Sequence, residues 1–538
     1  MPNGQTSRSP LFPQRLLKWI AIGSLLGAAA VIMASVMIAR RASPVLRARV
    51  IETLQTAFDG RVELDNLQVV SWRGFEVTGG NLRIYAPASL GVPTNAQPLL
   101  TLRHFDFHAP WLGLLLRPIH VGSVKADGLD IELPPVRHAA VPLSGGNSAG
   151  GKPLPKMEIL VDEIICDNSR LVIANANPQK GPKLFELQHI ELHRVGPSEP
   201  WNYTAQLMNA IPRGEIQAQG KFGPWQADTP ANTAVTGHYT FEHADLGSIK
   251  GLGGILSSVG DFEGKLDRIT VDGTTQTPQF SLDIANHPVP LETRFHAIVD
   301  GTTGDTYLQP VNATLRNSKF TAAGSVVDVK GVGHTIDLEV EVPAGHLQDF
   351  LDLAVQTQPA VLTAIITTHA HVHIAAGKPR VVDRLSMQGK FHLRAMHFTN
   401  PDVQDKVDML SYRAQGEPEK AKPGAPDVAS GMTGTFDLQH DSISFPRLVY
   451  TLPGAQVNLA GVYSMDGQIF DFRGHVLTDL PLSKMVQGRW ASLALRVVNP
   501  FFHRPGGGAD IPVRISGTRS APKFGLDIAG ARGHGKTL

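Results

Sequence analysis

Ile336-Asp337-Leu338-Glu339-Val340-Glu341-Val342 alternates apolar and acidic residues without a break. Successive side chains of a β-strand point to opposite faces, so Ile336, Leu338, Val340 and Val342 share one side and Asp337, Glu339 and Glu341 the other. The same period of two starts near Leu129, Ile131 and Leu133 and runs through Phe280, Leu282 and Ile284, then Phe391 and Leu393. It continues at Phe436 and Leu438, Val457 and Leu459, Phe470 and Phe472, and Ile511, Val513 and Ile515, and ends at Phe524, Leu526 and Ile528. The pattern predicts a mainly β protein whose large sheet has one greasy face and one wet face. The greasy positions Ile336, Leu338, Val340, Val342, Phe280, Leu282 and Ile284 are the candidate binding surface.

At 538 residues the chain exceeds one ordinary core, and 42% hydrophobic with 18% charged residues is too apolar for disorder. The formal net charge of +1 supplies no basic field, which argues against nucleic acid as a partner. Cys166 is the single cysteine, so neither an internal disulfide nor a cysteine zinc site is available.

Trp19 to Ala39 carries no charge. At ~1.5 Å per residue it can cross a hydrocarbon core of ~30 Å, so residues 16–39 are expected to be a transmembrane helix after a short tail, 1–15. Arg40 and Arg41 end the run where a cleaved signal would end in small residues, so the helix is expected to stay attached. Arg8, Arg15 and Lys18 precede it, whereas Arg40, Arg41, Arg47 and Arg49 follow it, a count that by itself leans toward a cytoplasmic body.

After the span, Val45, Leu46, Val50, Ile51, Leu54 and Phe58 recur at helical spacing behind Ser43. Pro-, Gly- and Ser-rich stretches at 134–156 and 416–431 read as a linker and a loop, and they separate an N-terminal module (43–133), a central β-rich body (157–415) and a C-terminal β region (432–530). Asp-Gly pairs at Asp59, Asp127, Asp272, Asp300 and Asp466 fit tight turns. Helical spacing at 345–355 and 402–412 predicts two short helices against the sheet.

Little in the chain suggests chemistry. His369, His371 and His373 would aim their imidazoles to one side of a strand and could hold a metal, yet same-face neighbours stand ~6.5–7 Å apart, too far to share one ion unaided. Gly251, Gly253 and Gly254 begin like a dinucleotide loop but lack the third glycine and a βαβ setting. No nucleophile elbow, P-loop or His-Glu-x-x-His helix is present, so no catalytic residue, metal ligand or cofactor is assigned and an enzyme is not expected.

At the N-terminal end the span and short helix are followed by Gly60-Arg-Val-Glu-Leu, Trp72-Arg-Gly-Phe-Glu-Val, Pro98-Leu-Leu-Thr-Leu, Trp111-Leu-Gly-Leu-Leu, Pro118-Ile-His-Val and Asp127-Gly-Leu-Asp-Ile. The C-terminal end carries Asn499-Pro-Phe-Phe, the Gly506 tract, Ile511-Pro-Val-Arg-Ile-Ser-Gly-Thr and Pro522-Lys-Phe-Gly-Leu-Asp. In these two zones the sequence resembles the bacterial AsmA-like family. The resemblance implies a single-pass inner-membrane protein whose body lies in the periplasm as an elongated, twisted antiparallel β-groove with a few short helices, related to bridge-like lipid transfer proteins. It implies lipid transfer or outer-envelope assembly, with membrane lipids, the inner membrane and other envelope proteins as partners. The competing expectation is a structural or assembly factor that carries no lipid.

Overall fold

The computed structural model describes residues 47–527 except 49, 53–54, 56–60, 71–74, 86–97, 111–118, 134–158, 174–182, 225, 227–228, 330–331, 357, 440–441, 465–468, 487–503, 505–506 and 519–520. The expected span at 16–39 lies outside them, and no described helix is long and apolar enough to cross a membrane. The chain divides into two compact units, Met1–Met208 with Gln219–Thr233, and Asn209–Ala218 with Ala234–Leu538.

In the first unit the strands are β1 (Val62–Val70), β2 (Phe75–Ile84), β3 (Leu100–Ala109), β4 (Ile119–Leu133), β5 (Ile159–Ile173), β6 (Lys183–Val195) and β7 (Trp201–Asn209), each paired with the next. The expectation of antiparallel pairing throughout fails once. β4 and β5 run parallel, with Val124 opposite Ile164 and Ala126 opposite Cys166. A parallel neighbour needs a return connection of about a dozen residues or more, and the segment 134–156, read as a linker from its composition, has that length. Described residues between 47 and 55 are helical, as the spacing predicts; Val50 and Ile51 pack on Leu64, Leu67, Val69 and Val77, and the Arg47 guanidinium donates to the Leu64 carbonyl at 2.8 Å.

β8 (Arg213–Phe222) crosses the division between the units. The second unit holds β9 (Ala234–Asp245), β10 (Leu252–Gly253), β11 (Ile255–Lys265), β12 (Arg268–Leu282), β13 (Val289–Val299), β14 (Thr306–Leu315), β15 (Ser318–Val329) and β16 (Gly333–His346). It continues with β17 (Leu362–Ile374), β18 (Leu385–Phe398), β19 (Gly431–Gln439), β20 (Ser442–Leu452), β21 (Ala455–Ser464), β22 (Ile469–Thr478), β23 (Ala509–Thr518) and β24 (Ala521–Leu526). From β11 on, each pairs antiparallel with its successor; β9 pairs with β11, and β10 with the far end of β12.

β-branched residues such as Ile365, Ile366, Thr367, Thr368 and Val372 of β17 suit such half-buried strands. Bulges interrupt the ladders at Thr277/Phe280, Arg294/His296, Leu308/Val311, Lys319/Thr321 and Val342/Gly345, and each bends and twists the sheet. The curl is large. The connection from β17 to β18 leaves one long edge, yet its Val381 N–H donates to the Lys250 carbonyl at 3.1 Å and its Arg380 lies 3.7 Å from Asp283, both on loops of the opposite edge. Ile284 joins that set of turns. Alternation places it on the strand of Phe280 and Leu282, but β12 ends at Leu282 and Ile284 lies in the following turn, where its carbonyl accepts from Gln356 Nε2 at 3.0 Å.

Two of the Asp-Gly pairs also depart from expectation. Asp127-Gly128 and Asp272-Gly273 lie inside β4 and β12, whereas Asp300-Gly301 occupies a turn; Asp59 and Asp466 lie outside the described residues. At Asp272 the carboxylate bonds His296 Nδ1 at 2.8 Å across the ladder, while the Phe295 ring fills the space where a Cβ on Gly273 would stand. The pair is therefore a cross-strand device.

The expected helices form as α1 (Leu347–Ala354) and α3 (Pro401–Ala414); a single turn, α2 (Val381–Arg384), lies between them. Asn400 caps α3 by accepting from the Asp402 and Val403 N–H groups, with Pro401 at the first position, where its missing N–H costs nothing. α1 and α3 seal one long edge of the sheet. Asp349 of α1 accepts from Ser318 Oγ at 2.7 Å and the Asn317 N–H at 3.2 Å, Gln404 of α3 accepts from the Phe398 N–H at 2.9 Å, and Ser411 Oγ donates to the Pro453 carbonyl at 2.8 Å. Buried polar side chains thus satisfy strand-end backbone groups that would otherwise lose their water. The segment 416–430 has no helix or strand, as its composition suggests, but is tied to α3 by Asp405 and Asp408, which accept from the Gly424 and Val428 N–H groups at 3.0 and 2.9 Å.

Candidate functional site: an apolar face with one closed edge

Residues directly opposite in a β-ladder share a face, so register alone maps the surface. From Leu338, partner to partner in one direction, the row reads Gly324, Leu308, Ala297, Val271, Phe262 and Gly237. In the other direction it reads Val372, Met387, Leu438, Ile443, Tyr463, Phe470 and Gly517. No polar side chain other than the tyrosine hydroxyl enters this row from β9 to β23. The first unit repeats the arrangement, with Val69, Val77, Phe107, Val124, Ile164, Leu192 and Tyr203 in register across β1 to β7. Burial pushes the Tyr203 hydroxyl up to about 12, and burial followed by the nearby Asp167 raises the Cys166 thiol, which lies on the same face.

Burial along the second unit's face is graded. Ile336, Leu338 and Val340 are half-buried, whereas Val342, on the same strand and face, is 2% exposed. A second sheet packed face to face would bury all four. Among the described residues, burial on this face is densest at the edge sealed by helices, where Leu393, Met396, Ala414, Tyr450, Leu452, Ala455, Val457 and Met485 form a cluster with Val407 and Leu410 of α3 against it; within the Leu338 row itself, Ala297 and Leu438 are also buried. Phe350 of α1 stands edge-on to Phe320, their centroids 6.2 Å apart. Of the candidates read from the sequence, Ile336, Leu338 and Val340 line the open part and Val342 the sealed part. Phe280 and Leu282 fall at the same sealed edge, paired with Val289 and Leu252, and Ile284 is off the strand altogether.

The opposite face is a ladder of ion pairs. Next to the Leu338 row run Glu339, His371, Gln388, Asp437, Ser444, Val462, Asp471 and Ser516. His369, His371 and His373 share this face, as their alternation predicts, but they meet carboxylates instead of one another. Asp337 bonds His371 Nε2 at 2.8 Å and His373 Nδ1 at 3.0 Å, and Glu339 lies 3.6 Å from His369. The His371 and His373 hydrogen bonds hold the Asp337 carboxyl below its usual range, and the bond to Asp337 raises the His371 imidazole. Similar pairs join His238 to Asp261, His296 to Asp272, His189 to Asp167 and His475 to Asp510. These pairs become visible only with the register known, because each links residues on different strands.

Gly251 and Gly254 have φ of +98° and +114°. A Cβ would meet the Val381 backbone nitrogen at 3.2 Å on the first and the Gln279 carbonyl oxygen at 2.6 Å on the second. The glycine run therefore serves chain packing around β10. Comparison with known proteins adds no relative: no protein-family profile, no curated protein and no solved structure matches the chain.

Proposed function

We propose that this chain is a membrane-anchored lipid-binding protein of the cell envelope, which aids lipid transfer or outer-envelope assembly by seating acyl chains on its apolar face. The observation that carries the reading is the unbroken row from Gly237 to Gly517, half-exposed around Leu338. A contiguous apolar surface of that extent is costly in water and needs a cover. Acyl chains suit it, because they ask for no hydrogen bonds and conform to an uneven, bulged surface. The wet face, with its His–carboxylate pairs, suits solvent. Carriage of this kind needs no cofactor and no catalytic group. The resemblance to the AsmA-like family supplies the rest of the proposal: a span at 16–39 in the inner membrane and a body in the periplasm, so that alkaline phosphatase fused after Leu538 is active there.

The test is native mass spectrometry of the full-length chain beside the double variant Leu338→Glu/Val340→Glu. The proposal expects co-purified lipid on the parent and none on a variant that still melts cooperatively. A folded variant that carries lipid normally refutes this lipid path. A variant that unfolds makes the face a packed core and favours the assembly-factor reading, for which the sealed cluster around Leu393 is the supporting observation.

A further inference from the structure

We propose that the wet face of the first unit holds a divalent transition-metal site formed by Glu163, Glu191, His193 and His189. It stands apart from the lipid-binding proposal. On β6, His189, Glu191 and His193 alternate onto one face; across the ladder on β5, Glu163 is opposite His193 and Asp167 opposite His189. One donor atom from each of Glu163, Glu191 and His193 lies within 4.8 Å of the others, and His193 Nε2 is already 3.1 Å from Glu191 Oε1. A tetrahedral ion with bonds of ~2.0–2.1 Å sets its donors about 3.3 Å apart, so small rotamer adjustments close the set.

Two further observations point to a cation. His189 bonds Asp167 through Nδ1 at 2.6 Å and turns Nε2 toward Glu191 Oε2, 3.8 Å away. A carboxylate holding one imidazole nitrogen so that the other presents its lone pair is the arrangement behind most metal-bound histidines. In addition, the two carboxylates of the group, Glu163 and Glu191, have no Lys or Arg among the described residues ion-paired to them; Lys125 of β4, opposite Ile165, forms no such pair. His371 and His373 differ, since both close on the single carboxylate of Asp337. Mixed imidazole and carboxylate donors favour Zn²⁺ and its first-row neighbours over Mg²⁺ or Ca²⁺, which prefer oxygen alone.

The test uses the purified full-length chain, stripped with chelator and dialysed against Zn²⁺, with Co²⁺ as a visible-absorption probe. The expected result is one tightly held Zn²⁺ and an intensified Co²⁺ d–d band. His193→Ala should abolish both, and Asp167→Asn, which alters only the support of His189, should weaken binding roughly 10- to 100-fold. The double variant His371→Ala/His373→Ala should bind like the parent. If His193→Ala does not fold, as judged by its metal-free melting curve, Glu163→Gln replaces it with the same expectation. No tight equivalent, or binding unchanged in His193→Ala or Glu163→Gln, overturns the site.

Discussion

Val342 and Leu338 belong to one strand and one face, yet the first is sealed and the second half-open. Alternation of residue type is the same at both. The difference comes from what lies over the strand end: Phe350 of α1 stands beside Val342 next to Gly345, and Asp349 of α1 bonds the neighbouring strand, whereas in the row through Leu338 only Ala297 and Leu438 are buried. Sequence pattern therefore sets which face is apolar, and the helices enlarge the part of it that becomes core.

The largest expected effect is at the sealed end. Val342→Glu should cost several kcal/mol and prevent cooperative folding, because the charge has neither water nor a partner, whereas Leu338→Glu should leave a folded protein. Limited proteolysis and thermal melting of both variants check this, and equal damage at the two positions would break the contrast. Truncation should give a smaller version of the same ranking. Leu393→Ala at the sealed edge should lose ~2–5 kcal/mol in denaturant titration, against about 1 kcal/mol for Leu338→Ala, whose side chain is only partly removed from water.

Much of the fold is readable from residue order alone. The strands, the shared face of Ile336, Leu338, Val340 and Val342, and the helices at Leu347 and Pro401 follow from period two and period 3.6. The end of β12 before Ile284 does not, because a bulge at Thr277/Phe280 shifts the register where the apolar alternation still reads on. The parallel pairing of β4 with β5 is hidden too, since composition marks 134–156 as a linker without saying to which edge it returns. Spacing draws notice to His369, His371 and His373, while the tighter donor set at His189, Glu191 and His193 needs Glu163 from another strand to become visible.

The smallest expected effect concerns the wet face, where His371 and Asp337 are part-exposed and solvent screens their attraction. The imidazole is raised in the folded state, so its contribution is complete below an unfolded value near 6.5 and is lost as pH rises through the higher folded value. The Asp337 carboxyl is lowered, so its contribution disappears only as pH falls through that lowered value in the acid range. Melting temperatures of the parent and His371→Gln should therefore differ slightly at pH 6 and converge by about pH 9. A gap that widens with rising pH would contradict the pairing.

Whether one face of the sheet seats acyl chains is decided most directly by photocrosslinking at adjacent residues. A photoreactive amino acid placed at Leu338 or at Glu339, in the full-length chain in its own membrane, samples the two faces of β16 one residue apart. Lipid adducts are expected from position 338 and none from 339. Equal labelling at both, or labelling at neither while the parent co-purifies with lipid, would contradict the one-faced groove.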